Sequence, residues 1–229
     1  MDPRLEIQTC AYLLTEQRAS PDGFALSDGE KMRARAIVST TRRAQFLAGR
    51  WLAKQMLARA LGGSPQDWRI SAEPNEKPRV IGHDLQLSIA HSGPFVACCI
   101  ADQAVGIDVE RLDRVRPIAD MSTLVFSEHE QNALRGLRGE AAVVRFFQLW
   151  TCKEARLKQL GLPFDLSTLR TIQVAPVESA EAQVGTWCFL GPERVMLSLA
   201  VQGLSQLHVR WPAHWVAEPI HWHRYSELT

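Results

Sequence analysis

Three carboxylates stand out because their spacing is suited to holding a cation. Asp108 and Glu110 lie in the segment 105–110, where Val and Ile alternate with the acids as in a strand with one buried face. Both carboxylates then point the same way, about 5–7 Å apart, and they repel each other unless a divalent cation or a cluster of donors neutralises them. Magnesium prefers carboxylate oxygens and usually completes its shell with the oxygens of a phosphorylated substrate. The pattern therefore predicts a site for phosphate chemistry.

Glu154 supplies a third acid on a different kind of element. It lies in an apolar-rich helical stretch that ends at Gly161, with Lys158 one turn further along. Each segment alone also fits a role without metal. Acids on a strand often face solvent, and a Glu–Lys pair at this spacing often forms a surface salt bridge. The combination of segments favours one shared site, and we predict that Asp108, Glu110 and Glu154 bind the metal.

The composition is that of a globular protein with room for a sizeable core. The chain has 229 residues, of which 46% are hydrophobic and 22% charged, and this length fits one domain or two compact halves. Its net charge of +1 gives no overall attraction for nucleic acid. Five cysteines without a C-x-x-C pair argue against a disulfide framework and a zinc site. The apolar runs are too short for a bilayer, and the first residues lack a signal-peptide core, so we expect a cytoplasmic protein without a membrane partner.

Hydrophobic periodicity predicts the same order of elements twice. The first half reads as strands at 7–14, 68–72, 85–90, 95–100 and 105–110, with helices at 27–38 and 42–61. The second half reads as helical segments within 118–137, a long helix at 140–160, and strands at 171–174, 186–190, 195–201 and 207–211. We predict an α+β fold of two similar subdomains, 1–103 and 104–229, related by a pseudo-two-fold axis. Each would be a long helix on a mostly antiparallel sheet, with the active site in the cleft between them.

Two segments carry a family resemblance. Gly106-Ile107-Asp108-Val109-Glu110, together with Trp150-Thr151-Cys152-Lys153-Glu154-Ala155 and Lys158, resembles the paired signature of the 4′-phosphopantetheinyl transferase superfamily. The likeness is to the larger, pseudo-dimeric type that acts on carrier proteins of fatty-acid, polyketide and nonribosomal-peptide synthesis. Asn75-Glu76-Lys77-Pro78 is similar to the Lys-Pro loop of that family, and Ile89-Ala90-His91-Ser92-Gly93 to its Ser-His-Ser-Gly turn. Glu76 and Ala90 depart from the family pattern, which leaves the coenzyme A contacts of those two positions open.

The resemblance implies a reaction and a set of residues for it. Coenzyme A would lie in the cleft, Mg²⁺ on the three acids would bind its pyrophosphate, and a serine of an apo carrier protein would attack, releasing adenosine 3′,5′-bisphosphate. The serine proton would go to Glu154 or to a metal-bound water, and the sequence does not choose between them. The implied catalytic residues are Glu154, Lys158 and Asp108. The implied coenzyme A contacts are Arg43, Arg50, Lys77, His91, Ser92, Lys153 and Lys158.

Several alternatives stay open at this stage. A metal-dependent phosphodiesterase or nuclease also uses strand acids with a helical Glu-x-x-x-Lys pair, although a nuclease should carry a broad basic face. A carrier-binding or coenzyme-A-binding module that has lost catalysis is the non-enzyme alternative. Ser127-x-x-Glu130 has the form of a capping box, so Glu130 is expected to serve the start of a helix. Apolar residues near Leu124 either receive an acidic carrier helix or pack in the core. The pseudo-repeat favours a monomer.

Overall fold

The computed structural model divides the chain into two compact units. Unit 1 is Met1–Val105 with Ser205–Trp215, and unit 2 is Gly106–Leu204 with Val216–Thr229. The residues that the structure describes are 1–19, 26–71, 73, 76–113, 116–176, 184–202, 206–215 and 223–227. Among these residues, no helix is both long enough and apolar enough to cross a membrane.

Unit 1 packs one long helix against a four-stranded sheet. Its helices are α1 (Cys10–Ala19), α2 (Asp28–Ala36) and α3 (Thr40–Leu61). Its strands are β1 (Arg4–Thr9), β2 (Gln86–Ser92), β3 (Phe95–Ala101) and β8 (His208–Arg210), in the spatial order β2-β3-β1-β8. β3 is antiparallel to both β2 and β1, whereas β8 runs parallel to β1. The buried face of α3, including Leu52 and Met56, meets Val96 and Ile100 of β3 in one hydrophobic cluster.

Unit 2 repeats this plan with a larger sheet. Its helices are α4 (Ile118–Val125), α5 (Glu128–Asn132), α6 (Gly139–Leu160) and α7 (Leu166–Thr171). Its strands are β4 (Val105–Arg111), β5 (Val174–Pro176), β6 (Val184–Gly191), β7 (Val195–Gln202) and β9 (His223–Glu227), in the order β4-β7-β6-β9-β5. Aromatic residues of α6 fill its core, where the Phe146 ring lies 5.3 Å from Phe126 and 5.4 Å from Phe147.

The predicted α+β fold class is confirmed, and most predicted elements are present within two residues of their expected bounds. The strand expected at 7–14 is wrong in its second part. β1 ends at Thr9, whose hydroxyl accepts a hydrogen bond from the Tyr12 amide as α1 begins. The strand expected at 68–72 is only an isolated bridge between Ile70 and Val80. The segment expected to be a strand at 171–174 divides between the end of α7 and the start of β5.

Two further expectations need correction. The strand expected at 207–211 forms as β8, but it joins the sheet of unit 1 rather than that of its own half, and sequence order alone does not show this. The hairpin turn expected at 91–94 is shorter than predicted. β2 continues through His91 and Ser92, and the chain turns at Gly93, which has a φ of 53°. The predicted boundary between subdomains at 103/104 stays a prediction, as does the cleft.

Candidate active site

A close approach between a strand and a helix positions the acids of unit 2. Gly106 of β4 touches α6 so closely that a Cβ atom there would lie 1.9 Å from the Ala155 carbonyl oxygen and 2.3 Å from the Gln159 amide nitrogen. Those atoms belong to the helix backbone, so they cannot move aside for a side chain. Glycine at this point brings Asp108, two residues further along β4, to the helix surface that carries Glu154.

Asp108, Glu154 and Lys158 form one cluster. The Lys158 Nζ lies 2.6 Å from Asp108 Oδ1 and 3.8 Å from Glu154 Oε2. Asp108 is only 5% exposed, and its second oxygen, Oδ2, has no hydrogen-bonding partner among the described residues. The three charges therefore share a small, largely buried space in which two carboxylates face one ammonium group.

The pKa shifts in this cluster show an excess of negative charge. Burial raises the pKa of Glu154 to about 8, and the neighbouring Asp108 adds to this rise. Burial also raises the pKa of Asp108, although Lys158 opposes the change. Burial opposes the charge on Lys158, yet Asp108 and Glu154 outweigh it and raise its pKa. A single ammonium group thus does not fully compensate the carboxylates.

Glu110, the third predicted metal ligand, has a different partner. Its Oε1 accepts a hydrogen bond from Arg116 at 2.9 Å. The Arg116 guanidinium lies 5.8 Å from the ring centre of Phe147 and 5.9 Å from that of Trp150, so aromatic rings hold this arginine at the site. Two basic groups, Arg116 and Lys158, therefore sit at the carboxylates that were predicted to share a cation.

A divalent cation such as Mg²⁺ needs oxygen donors that converge on one point. Among the described residues, no group of three or more His, Cys, Asp and Glu side chains is arranged as a ready coordination shell. The donor chemistry nevertheless fits Mg²⁺, because the carboxylates of Asp108 and Glu154 converge and Asp108 Oδ2 is buried without a partner. The three-carboxylate metal site stays a prediction, and Glu110 would have to exchange Arg116 for the ion to complete it.

Lys153 points into the core rather than to this cluster. Its ammonium group is buried, donating to Glu130 Oε2 at 2.6 Å and to the Val125 carbonyl at 2.9 Å, and it lies 5.2 Å from the Phe126 ring centre. Glu130 also completes the predicted capping box with Ser127. All these partners belong to the protein, so Lys153 holds helices together, and we leave it out of the proposed site.

Unit 1 contains a separate basic cavity of about 390 Å³. Its lining includes Arg33, Arg42, Phe46, Arg50, Pro78 and His91. Arg42 Nη1 lies 3.0 Å from Nδ1 and 3.3 Å from Nε2 of His91, and the nearly buried Arg50 donates to the Ser71 carbonyl at 2.7 Å. A cavity with three guanidinium groups and an imidazole has the charge to bind a phosphate.

The other predicted coenzyme A contacts, Arg43, Lys77 and Ser92, are not among the residues that line this cavity. Arg43 bonds the Ile37 carbonyl through Nε at 3.1 Å and Nη2 at 2.7 Å, so it closes the end of α2 and is not among the lining residues of the cavity. Lys77 donates to the Val105 carbonyl at 3.0 Å, and burial lowers its pKa. Ser92 is buried at the end of β2. Asn75 of the predicted Lys-Pro loop lies outside the described residues.

Sequence reasoning missed Arg33 and Arg42. The signal for Arg42 was present, because Arg42, Phe46 and Arg50 follow one another at a spacing of four residues, which makes successive side chains neighbours on the surface of α3. Arg33 lies on α2, and no spacing rule connects it to α3.

Comparisons with known proteins identify the family of this chain. The sequence profile described as the 4′-phosphopantetheinyl transferase superfamily matches residues 104–206, which include the Asp108, Glu154 and Lys158 cluster. The 4′-phosphopantetheinyl transferase HetI of Nostoc sp. is 32% identical over 176 residues, covering 72% of each chain. A 4′-phosphopantetheinyl transferase of Bacillus subtilis is 28% identical over 163 residues, covering 63% of this chain and 71% of its own. The enzyme AcpT of Salmonella typhi is 33% identical over 121 residues, covering 52% of this chain and 60% of its own. These matches confirm the resemblance, and the chain belongs to the 4′-phosphopantetheinyl transferase superfamily as an enzyme of that transferase class.

Proposed function

We propose that the protein transfers the 4′-phosphopantetheine arm of coenzyme A to a serine of an apo acyl or peptidyl carrier protein in a Mg²⁺-dependent reaction. The observation that carries this proposal is the cluster of Asp108, Glu154 and Lys158, in which a buried and a partly buried carboxylate converge beside one ammonium group. Such a donor set suits a cation that also binds the oxygens of a diphosphate.

The proposed reaction is a phosphoryl-type displacement without a covalent enzyme intermediate. The serine hydroxyl gives its proton to Glu154 or to a water molecule, its oxygen forms a bond to the phosphorus nearer the pantetheine arm, and the bond from that phosphorus to the bridging oxygen breaks. Adenosine 3′,5′-bisphosphate leaves with the bonding electrons. Negative charge grows on the leaving oxygen, so a fixed positive charge there lowers the barrier.

Each residue of the cluster has a separate task in this proposal. Asp108 and Glu154 would hold Mg²⁺, which when bound supplies charge neutralisation at the diphosphate. Lys158 is held at 2.6 Å by Asp108, so its ammonium group is already oriented for a phosphate oxygen. Glu110 would join the metal on release from Arg116. The raised pKa of Lys158 keeps this side chain protonated at neutral pH.

The basic cavity of unit 1 supports a nucleotide with a phosphate group as the substrate. Arg42 and His91 are within hydrogen-bonding distance of each other at its wall, and Arg50 lies 5.0 Å from the Phe46 ring centre. We propose that this cavity binds the 3′-phosphate of coenzyme A, with Arg42 and His91 as its principal contacts. Arg50 contributes charge but is already engaged with Ser71.

The decisive experiment is a mass measurement on a carrier protein. Purified protein is incubated with coenzyme A, Mg²⁺ and an apo carrier protein, and the carrier should gain the mass of one phosphopantetheine arm. Chelation of Mg²⁺ should stop the reaction. Glu154→Gln should abolish transfer, whereas the matched change Glu140→Gln, at an exposed acid on the same helix, should leave it intact. Binding of carrier or coenzyme A without any mass gain would instead indicate an inactive binding module.

A further inference from the structure

Unit 1 contains a second basic cavity, which shares no lining residue with the cavity of Arg42 and His91. Its volume is about 230 Å³. This is less than the roughly 300–1,000 Å³ of pockets that enclose drug-sized molecules, so the cavity suits a small ion. We call it the Arg59 cavity, and the charged residues of its lining are Arg4, Glu6, Arg59, His208 and Arg210.

The Arg59 cavity lies where unit 2 has a direct contact between strand and helix. Gly106 of β4 meets the backbone of Ala155, which is the seventeenth residue of α6. Arg4 is the equivalent residue of β1, since it and Gly106 each precede the buried strand acid by two residues. Met56 is the seventeenth residue of α3, and both Arg4 and Met56 line the cavity. Unit 1 thus has an arginine and an open space where unit 2 has close backbone packing.

Strand β8 brings two further basic side chains to this space. It pairs in parallel with β1, with His208 opposite Arg4 and Arg210 opposite Glu6. Residues that pair across neighbouring strands point to the same face of the sheet, so these four side chains share one face. In unit 2, β4 is the last strand at the corresponding edge of the described sheet. The two bases of β8 therefore have no counterpart among the described strands of unit 2.

A buried carboxylate holds two of the arginines in place. Glu6 is only 4% exposed, and it forms ion pairs with Arg59 and with Arg210, whose Nε lies 3.9 Å from Oε1. Gln8 also donates to Oε1, at 3.3 Å. Each guanidinium group has five N–H donors, which is more than these contacts use, and both arginines are exposed. Glu6 therefore orients donors that can bind an anion from solvent.

The Arg59 cavity has an excess of positive charge. Its described lining combines three arginines and His208 with a single acid, Glu6. Burial raises the pKa of Glu6, and the nearby Glu16 adds to this rise. The Glu16 carboxylate accepts hydrogen bonds from Tyr12 and Gln55 and is not part of the lining. The cavity should therefore attract an anion rather than a cation.

We propose that the Arg59 cavity binds a small oxyanion of the phosphate type, held directly by the guanidinium groups of Arg59 and Arg210 without a metal ion. Arg4 and His208 complete its wall. Guanidinium groups match the geometry of phosphate oxygens and can bind two of them at once. This site is separate from the proposed transfer reaction, so it binds its ligand whether or not the protein modifies a carrier.

The test measures the binding of inorganic phosphate to the full chain by isothermal titration calorimetry. The double variant Arg33→Ala with Arg42→Ala is the background, because it removes two of the three guanidinium groups of the other basic cavity. This background should still bind one phosphate ion per chain. Phosphate at ten times the measured dissociation constant should raise its melting temperature by about 3–5 °C, compared with chloride at the same ionic strength.

Further variants in this background locate the ion. Arg210→Ala and Arg59→Met should each weaken phosphate binding at least about fivefold, because each removes a charged donor. Arg59→Lys keeps the charge but loses the planar fork, so it should weaken binding by less than Arg59→Met. Arg194→Ala is the matched control, since Arg194 is also an exposed arginine in an ion pair, with Glu140 of unit 2. This control should bind phosphate within about twofold of the background.

Three results would overturn the inference. Phosphate and chloride at equal ionic strength would give the same heats and melting temperatures if the ions only screened surface charge. A background variant that bound no phosphate would assign phosphate binding in unit 1 to the cavity of Arg42 and His91. Unchanged phosphate binding in Arg210→Ala and Arg59→Met would place the ion elsewhere. None of these measurements involves a carrier or coenzyme A, so a failure of the proposed function would not affect them.

Discussion

The two units build the same frame around the same kind of buried ion pair. In unit 1, Glu30 of a capping box accepts from Lys54 at 2.8 Å, and in unit 2, Glu130 of a capping box accepts from Lys153 at 2.6 Å. Each lysine is the fifteenth residue of a 22-residue helix. The sheets repeat as well, in the orders β2-β3-β1 and β6-β7-β4. The repeat that the sequence showed only as an order of elements thus extends to individual side chains.

The units differ in the acidic side chains of two equivalent strands, β1 in unit 1 and β4 in unit 2. Glu6 and Gln8 of β1 occupy the places that Asp108 and Glu110 occupy on β4. Glu6 is buried and forms an ion pair with Arg59, as Asp108 does with Lys158, but Gln8 is an amide where unit 2 has an acid.

The long helices differ in the same way. Gln55 and Arg59 are the sixteenth and twentieth residues of α3, and Glu154 and Lys158 hold those places on α6. At these four positions, unit 1 therefore has one carboxylate and one base, whereas unit 2 has three carboxylates and one base. Both units therefore keep a buried Lys–Glu pair, whereas among the compared positions three carboxylates occur only in unit 2, and carboxylate oxygens are the donors that Mg²⁺ prefers.

The strongest test of this comparison removes the strand acid from each unit. Asp108→Asn should lower transfer activity about 1,000-fold or more, because the neutral amide no longer supports a cation at the diphosphate. Glu6→Gln, at the equivalent position of unit 1, should change activity less than about threefold. Initial rates of carrier modification measure both. Equal losses of transfer activity in the two variants would show that the strand acid of unit 2 is no more important for catalysis than that of unit 1.

The shared frame is tested by removing each buried lysine. Lys153→Met and Lys54→Met should each lower the free energy of unfolding by about 4 kcal/mol, because each leaves a glutamate buried without its partner. Denaturant titration measures both values. A large loss for one lysine and a small loss for the other would break the proposed equivalence.

The close approach of β4 and α6 is special to unit 2. Gly106→Ala should cost about 3 kcal/mol of unfolding free energy, since the new methyl group would overlap the backbone of α6. Arg4, which holds the equivalent strand position in unit 1, is exposed, and Arg4→Ala should cost less than about 0.5 kcal/mol. Denaturant titration of both variants provides the comparison, and a Gly106→Ala protein of normal stability would contradict the packing described here.

The smallest expected effect is the stabilisation by Mg²⁺ itself. At ten times its dissociation constant, an ion that binds only the folded protein adds about 1.4 kcal/mol, which should raise the melting temperature by about 3–5 °C. Glu6→Gln should keep this rise and Asp108→Asn should lose it. Without metal, Glu154→Gln should melt no lower than the wild type, because it removes a buried carboxylate that lies beside another. Equal Mg²⁺ effects in both strand variants would place the ion elsewhere.

Much of the frame was predictable from sequence because its signals are local. The long helices show apolar periodicity over many turns, and glycine ends each of them. The convergence of Asp108 and Glu154 was predictable only through the family resemblance, since no periodicity connects a strand to a helix more than forty residues away.

Other features depend on packing that sequence patterns do not reveal. Lys153 and Lys158 were both predicted to contact coenzyme A. Five residues on a helix correspond to about 140° of rotation, so Lys153 faces the core while Lys158 faces the carboxylate cluster. The ion pair of Arg116 with Glu110 also went unseen, because that arginine lies in a connection without periodic structure.

Strand β8 has a consequence for attempts to separate the two units. Residues 206–215 belong to unit 1 but follow nearly all of unit 2 along the chain. A polypeptide cut after residue 105 would therefore leave β1 with an open edge, and such edges promote aggregation. Supplying residues 206–215 on a short glycine-rich connector after residue 105 is the minimal way to obtain unit 1 alone.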